Sequence, residues 1–126
     1  MILPFTGTAP QRGTANSAGL DLVADRFENG DTVYTGLRVQ IPEGHFGMVV
    51  PRSSLGSKGL YLKNTVGIID ADYRGEIILK IDGYRPSPGE RIAQLIIVPY
   101  LNVEPVEVTE LTDTVRGEGG FGSTGA

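Results

Sequence analysis

Arg52, Ser53 and Ser54 stand between Pro51 and an apolar Leu55. Short hydroxyl residues at the start of a helical turn present O–H and N–H donors in one direction, and a guanidinium is a planar fork matched to phosphate oxygens. The same residues would also serve as an ordinary helix cap beside a solvated arginine. Asp70 and Asp72 flank a turn ahead of Tyr73. Aspartate in a turn commonly bonds nearby backbone. A carboxylate at a strand end can instead orient and deprotonate water, which hydrolysis at phosphorus requires. Tyr73 offers a flat apolar ring with a polar tip. Gln94 interrupts an apolar run and must find a partner in backbone or ligand. From Arg116 to Thr124 the chain mixes glycines, whose N–H groups are accessible, with Phe121 and the donors Arg116, Ser123 and Thr124. This is not a P-loop: it has no Gly-Lys-Ser/Thr, and only four residues follow Gly122, too few to open a helix.

The elements that must position these residues read as short strands. Leu37, Val39 and Ile41 alternate with Arg38 and Gln40. Phe46, Met48 and Val50 repeat the period, as do Ile77, Leu79 and Ile81, so each trio is expected to face the core. Arg91 to Pro99 is nearly all apolar and reads as a strand buried on both faces, with Gln94 beside Ile92, Ile96 and Val98. Turn residues separate the runs at Glu28-Asn29-Gly30-Asp31, Pro42-Glu43-Gly44, Asp82-Gly83 and Pro86-Ser87-Pro88-Gly89. Only Arg52 to Gly59 suits a helical turn or two, with hydroxyl residues to cap it and a glycine to stop it. The pattern predicts an all-β chain, a jelly-roll-like β-barrel over residues 1–115 followed by a flexible, glycine-rich C-terminal arm over 116–126.

The chain has 126 residues, enough for one domain, and its formal net charge is −4. An acidic chain of this kind is a poor general binder of nucleic acid. It remains able to hold one small anion through a few placed cations and N–H groups. There is no cysteine, and the single histidine, His45, cannot build a zinc site alone. No apolar run is long enough for a membrane span, and Met1-Ile2-Leu3-Pro4 lacks the features of a secretory signal. A cytoplasmic protein is expected.

Five segments, in order, closely resemble the five motifs of the trimeric dUTPase family. They are Ser17-Ala18-Gly19-Leu20-Asp21-Leu22, Pro51-Arg52-Ser53-Ser54-Leu55, Gly67-Ile68-Ile69-Asp70-Ala71-Asp72-Tyr73-Arg74-Gly75-Glu76, Arg91-Ile92-Ala93-Gln94-Leu95 and the stretch from Arg116 to Gly125. The resemblance covers the chain from about Ser17 to Gly125. It implies an enzyme that cuts dUTP to dUMP and pyrophosphate, limiting uracil in DNA and supplying dUMP for dTMP synthesis. It gives Asp70 rather than Asp72 the role of activating water, with Asp72 bracing the turn against Arg74. Tyr73 becomes the plate under the deoxyribose that refuses a 2′-hydroxyl. Asn64, Gly67 and Ile69 lie in a hairpin, from about Leu62 to Tyr73, that reads uracil largely through backbone groups. Arg52, Ser53, Ser54 and Gln94 would meet the phosphates. Arg116, Ser123 and Thr124 would meet the γ-phosphate, with Gly122 in the closing arm and Phe121 stacked on the base. Mg²⁺ would ride on the triphosphate, with Asp21 and Gln94 reaching only its waters. The resemblance also implies a homotrimer with each site shared: the third segment from one chain, the first, second and fourth from a neighbour, the fifth from the remaining chain.

The chain departs from the family pattern in three places. The links from Asp21 to Thr35-Gly36 and from Ile81 to Arg91 are short, and Asp82-Gly83 stands where an Asn is common. A dCTP deaminase would share the fold, but the glycine-rich arm argues against it. A binding module using nucleotide as a switch would not need Asp70.

Overall fold

Alternating apolar residues between frequent turns give short strands, and a computed structural model describing residues 1–122 is built from them. In chain order these are β1 (Phe5–Gly7), β2 (Gln11–Arg12), β3 (Leu20–Val23), β4 (Arg26–Glu28), β5 (Thr32–Tyr34), β6 (Leu37–Val39), β7 (His45–Pro51), the helix α1 (Ser53–Ser57), β8 (Leu60–Leu62), β9 (Gly67–Ile69), β10 (Ile78–Gly83) and β11 (Arg91–Pro99). Every ladder is antiparallel. One sheet has the order β2-β3-β11-β7-β9 and another β4-β5-β10-β8, while β1 pairs with β6. The chain is all-β, with α1 the one helix among the described residues. Leu22, Val49, Ile92 and Leu95 of the five-stranded sheet share one core with Val33, Leu60, Leu79 and Ile81 of the four-stranded sheet.

Two of the three alternating runs point as expected. Leu37, Val39 and Ile41 are buried between exposed Arg38 and Gln40, and Ile77, Leu79 and Ile81 are buried. Strand β7 is phased the other way. Its buried residues are Gly47 and Val49, and Phe46, Met48 and Val50 form the opposite, half-buried face. The core comes so close at Gly47 that a Cβ there would lie 2.8 Å from a Leu95 methyl and 2.9 Å from one of Ile41. Glycine therefore takes the inward position and its larger neighbours turn out. On that outer face Met48 pairs with Ile96 and with Ile68, and Phe46 with Val98. Strand β11 is correspondingly not buried on both faces: Gln94, Ile96 and Val98 are half-buried. A register shift between Arg91 and Ala93 rolls Ile92 into the core, so Gln94 shares its face with Ile96 and Val98 but not with Ile92.

The hydroxyl residues of α1 do not cap it. The ladder of β7 runs to Pro51, which moves the cap position to Arg52, in extended conformation and without a side-chain cap bond. Ser53 and Ser54 are left exposed. Beyond Pro99 the chain leaves the sheet. Residues 100–116 carry no strand or helix and are exposed throughout, including Leu101, Val103, Val106, Val108 and Leu111.

The expected turn at Asp82-Gly83 does not form: both residues lie in β10, paired with Tyr61 and Leu60 of β8, and glycine is required there by contact as well as conformation. Gly83 has φ +82°, its N–H bonds the Asp82 carboxylate at 2.9 Å, and a Cβ on it would lie 1.9 Å from the Gly59 carbonyl oxygen. Gly44 has nearly the same φ, +80°, with nothing within 4 Å. Gly44→Ala is expected to cost about 1–2 kcal/mol, the ordinary penalty of a left-handed residue, and Gly83→Ala at least twice as much. Urea denaturation of the two variants checks this; equal losses would contradict the contact argument.

Candidate active site

The register of β3, β11 and β7 brings the candidates Asp21, Gln94 and Arg52 together. Asp21 pairs with Gln94, and Gln94 with Val50, so the acid and the amide stand side by side on the outer sheet face, close to where β7 ends. The Asp21 side chain, only 13% exposed, lies between two guanidinium groups. Its Oδ1 is 3.5 Å from Nε of Arg52 and its Oδ2 is 3.4 Å from Nη1 of Arg91. Gln94 folds over Gly19, where a Cβ would meet its Oε1 at 2.5 Å. Ser53 and Ser54 follow Arg52 directly and leave their hydroxyls open, and the first N–H groups of a helix have no partner within it. This end of the sheet can therefore offer guanidinium, hydroxyl and N–H donors to an anion. Among the described residues no cluster of three His, Cys, Asp or Glu forms a metal cage.

Asp70 and Tyr73 belong to a different place. The connection from β8 to β9 turns at Thr65, which has φ 68°, with Thr65 N–H donating to Leu62 O at 3.0 Å and Val66 N–H to Asn64 O at 2.7 Å. Asn64, Gly67 and Ile69 line a recess of about 410 Å³ closed by Val49, Leu62 and Ile78. A smaller recess of about 170 Å³ adjoins it at Ile69 and Ile78 and is lined by Asp70, Tyr73 and Glu76. The turn from Asp70 is closed by Tyr73 N–H donating to Asp70 O at 3.1 Å. Arg74 braces it through the carbonyls of Ala71, at 2.6 Å, and Tyr73, at 3.2 Å. The expected Asp72–Arg74 brace does not form, because these carbonyls lie nearer the guanidinium. The Asp70 side chain is exposed and has no hydrogen bond or ion pair among the described residues.

The two groups stand at opposite ends of β7. Ile69 pairs with Gly47 near the start of that strand, whereas Arg52 follows its last residue, Pro51. The six steps from Phe46, opposite Asp70, to Arg52 span roughly 20 Å of extended chain. Within one copy of the chain Asp70 therefore stands apart from Arg52.

Among the described residues, the C-terminal candidates Arg116, Phe121 and Gly122 bond to neither group. Arg116 donates from Nε to Gly119 O at 2.6 Å, Gly119 N–H returns to Arg116 O at 3.1 Å, and Gly117 N–H bonds the Thr114 hydroxyl at 3.1 Å. Phe121 is fully exposed with φ 51°, and Gly122 follows with φ 83°. Ser123 and Thr124 lie outside the described residues.

Sequence reasoning gave no role to Arg91 or Glu76. Glu76 accepts Arg26 Nη2 at 2.9 Å and Nη1 at 3.2 Å, and Gly36 N–H at 2.8 Å. Burial opposes its ionisation, but the Arg26 guanidinium and the Gly36 N–H outweigh burial and hold its carboxyl below the usual range. Arg26 lies on β4 and Glu76 in the connection ahead of β10, fifty positions on, so nothing in local sequence pairs them. Arg91 could have been noticed only by pairing β11 with β3.

The model of the dUTPase family matches residues 6–125. The deoxyuridine 5′-triphosphate nucleotidohydrolase of Acinetobacter baumannii (strain AYE) is 44% identical, over 92% of this chain and 87% of its own. That of Escherichia phage T5 is 39% identical, over 93% and 91%. Among solved structures, the dUTPase of Staphylococcus bacteriophage 80alpha with dUPNHPP superposes with a TM-score of 0.83 at 27% identity, covering 99% of both chains. A family match over nearly the whole chain, with a relative this similar over nine-tenths of it, means that the chain belongs to the dUTPase family.

Proposed function

We propose that this protein hydrolyses dUTP to dUMP and pyrophosphate in the cytoplasm, and that it does so as a homotrimer with sites shared between subunits. The observation that carries the reading is the unpartnered Asp70 carboxylate, exposed beside a recess lined by Asn64, Gly67 and Ile69, in a chain of the dUTPase family. Asp70 accepts a proton from water as the water oxygen bonds the α-phosphorus. The bond from that phosphorus to its bridging oxygen breaks, and pyrophosphate leaves. Uracil occupies the recess, where backbone groups around Gly67 and Ile69, with Asn64, match its edge. Cytosine presents the opposite donors and acceptors, a mismatch that buried polar groups discriminate by roughly 10⁴-fold or more. The Tyr73 ring lies against the sugar and leaves no room at C2′ for a hydroxyl.

Arg52, Ser53, Ser54 and Gln94 of a neighbouring subunit bind the phosphates. Separation along β7 supports that division, since the phosphate-binding end of one chain is roughly 20 Å from its own Asp70. The outer apolar face of Met48, Ile68, Ile96 and Val98 and the exposed tail beyond Pro99 also favour association with further copies. Mg²⁺ fits as an ion carried by the triphosphate, with Asp21 and Gln94 toward its waters, because the described residues offer two adjacent polar side chains but no cage. When bound, it would neutralise charge on the phosphates. In this reading residues 1–115 make up the dUTPase domain, with its strands ending at Pro99, and the arm of 116–126 closes over the nucleotide, with Arg116, Ser123 and Thr124 toward the γ-phosphate and Phe121 and Gly122 over the base.

Asp70→Asn should keep dUTP binding, because shape and hydrogen bonding survive. It should lower kcat by about 10²–10⁴-fold, the usual worth of a general base. Pyrophosphate release and calorimetric binding measured together decide; near-normal kcat would remove Asp70 from the role. Deleting 117–126 should leave melting behaviour unchanged and lower activity by roughly two orders of magnitude, the scale on which loss of substrate positioning is felt. A truncated protein working at the full rate would contradict the closing arm.

A further inference from the structure

Tyr73 is 42% exposed. Its position is set by the backbone around it. The Tyr73 hydroxyl donates to the carbonyl of Glu76 at 2.7 Å, and the ring lies over Gly75, where a Cβ would come within 2.4 Å of the phenol oxygen. Wherever the backbone of Gly75 and Glu76 goes, the ring must follow.

That backbone is held by the Glu76 carboxylate. Its Oε2 accepts from Gly36 N–H at 2.8 Å and from Arg26 Nη1 at 3.2 Å, and its Oε1 accepts from Arg26 Nη2 at 2.9 Å. The donors are themselves fixed. Arg26 sits 4.2 Å from the centroid of the Tyr34 ring, across the β4–β5 ladder, and Tyr34 donates to Glu28 at 2.7 Å. Gly36 has φ +69°, and a Cβ there would lie 2.7 Å from the Thr8 hydroxyl, so its backbone has little latitude. Next along the chain, the Thr35 hydroxyl donates to Ile77 O at 2.7 Å. A chain of bonds thus runs from the edge of the four-stranded sheet to the phenol of Tyr73.

We propose that Glu76, clamped by Arg26 and Gly36, is the positioning residue that keeps the Tyr73 ring in place, and that through it the β4–β5 hairpin sets discrimination between deoxyribonucleotide and ribonucleotide. The inference rests on the proposed dUTP hydrolysis and deepens it. Neither Glu76 nor Arg26 touches substrate in this account. Both act on the ring. A ring free to swing by a fraction of its width would admit a 2′-hydroxyl while still covering the sugar.

The test is the ratio of kcat/KM for dUTP to that for UTP, in the full-length protein with Mg²⁺. Glu76→Gln keeps the volume but turns an N–H₂ group toward one of three donors, so the clamp loosens without emptying the site. The ratio is expected to fall by about tenfold, chiefly because UTP is used better, the size of effect that slight misplacement produces. A merely structural role would lower both rates together and leave the ratio alone, and an unchanged ratio overturns the proposal. If Glu76→Gln does not fold, Arg26→Gln, at a side chain 52% exposed, decides by the same ratio. A several-fold fall supports the clamp, and no change overturns it. Wild-type protein that releases no pyrophosphate from dUTP would refute the proposed activity instead, so the two failures are distinguishable.

Discussion

Strand β7 is hydrogen-bonded on one side to β9 and on the other to β11, and these two registers determine where the candidate site residues stand. Gly47 and Val49 point to the core, which obliges Phe46, Met48 and Val50 to point away from it. Ile69 meets the start of the strand, so Asp70 emerges there, while Arg52 can only emerge past the other end. A slip by one residue would expose Val49 and place Met48 where a Leu95 methyl leaves no room even for a Cβ. Steric fit at one glycine therefore fixes the separation between Asp70 and Arg52.

That separation has a consequence for assembly. The chain presents an apolar outer face on the same sheet and a long exposed segment after Pro99, rich in Val and Leu. Surfaces of this kind are costly in water and favour contact with further copies. Threefold symmetry would repeat one contact three times and supply each Asp70 with the Arg52 of a neighbour. Within the single chain Asp21 lies between the guanidinium groups of Arg52 and Arg91 and fixes their orientation.

Much of this was legible in the sequence, and the exceptions are instructive. Period-2 alternation located β6 and β10, and the turn residues located most of the hairpins, including Asn29-Gly30 with both φ values positive. Alternation gave the wrong phase for β7, because Phe, Met and Val outweigh Gly and Val in any hydrophobicity pattern; the constraint at Gly47 comes from Leu95 and Ile41, which are distant in sequence. Ile92 was misassigned for a similar reason, since a register shift leaves no local mark. Ser53 looked like a cap, but the strand before it consumed the residue that would have made the cap position. Motif order identified Asp21, Arg52, Asp70, Tyr73 and Gln94 as candidates, whereas the Arg26–Glu76 clamp joins positions fifty residues apart and had no signature at all.

The central claim, that Asp70 and Arg52 of one working site belong to different chains, is open to direct measurement. Asp70→Asn and Arg52→Ala chains, each inactive alone, would be co-expressed and purified together through two different tags, and pyrophosphate release from dUTP measured on the mixed assemblies. Shared sites predict recovery to about one third of the wild-type rate, because each mixed trimer has one site in three that combines an intact Asp70 with an intact Arg52 from its neighbour. Mixed assemblies as inactive as either parent would put both residues in the same chain's site and contradict the account.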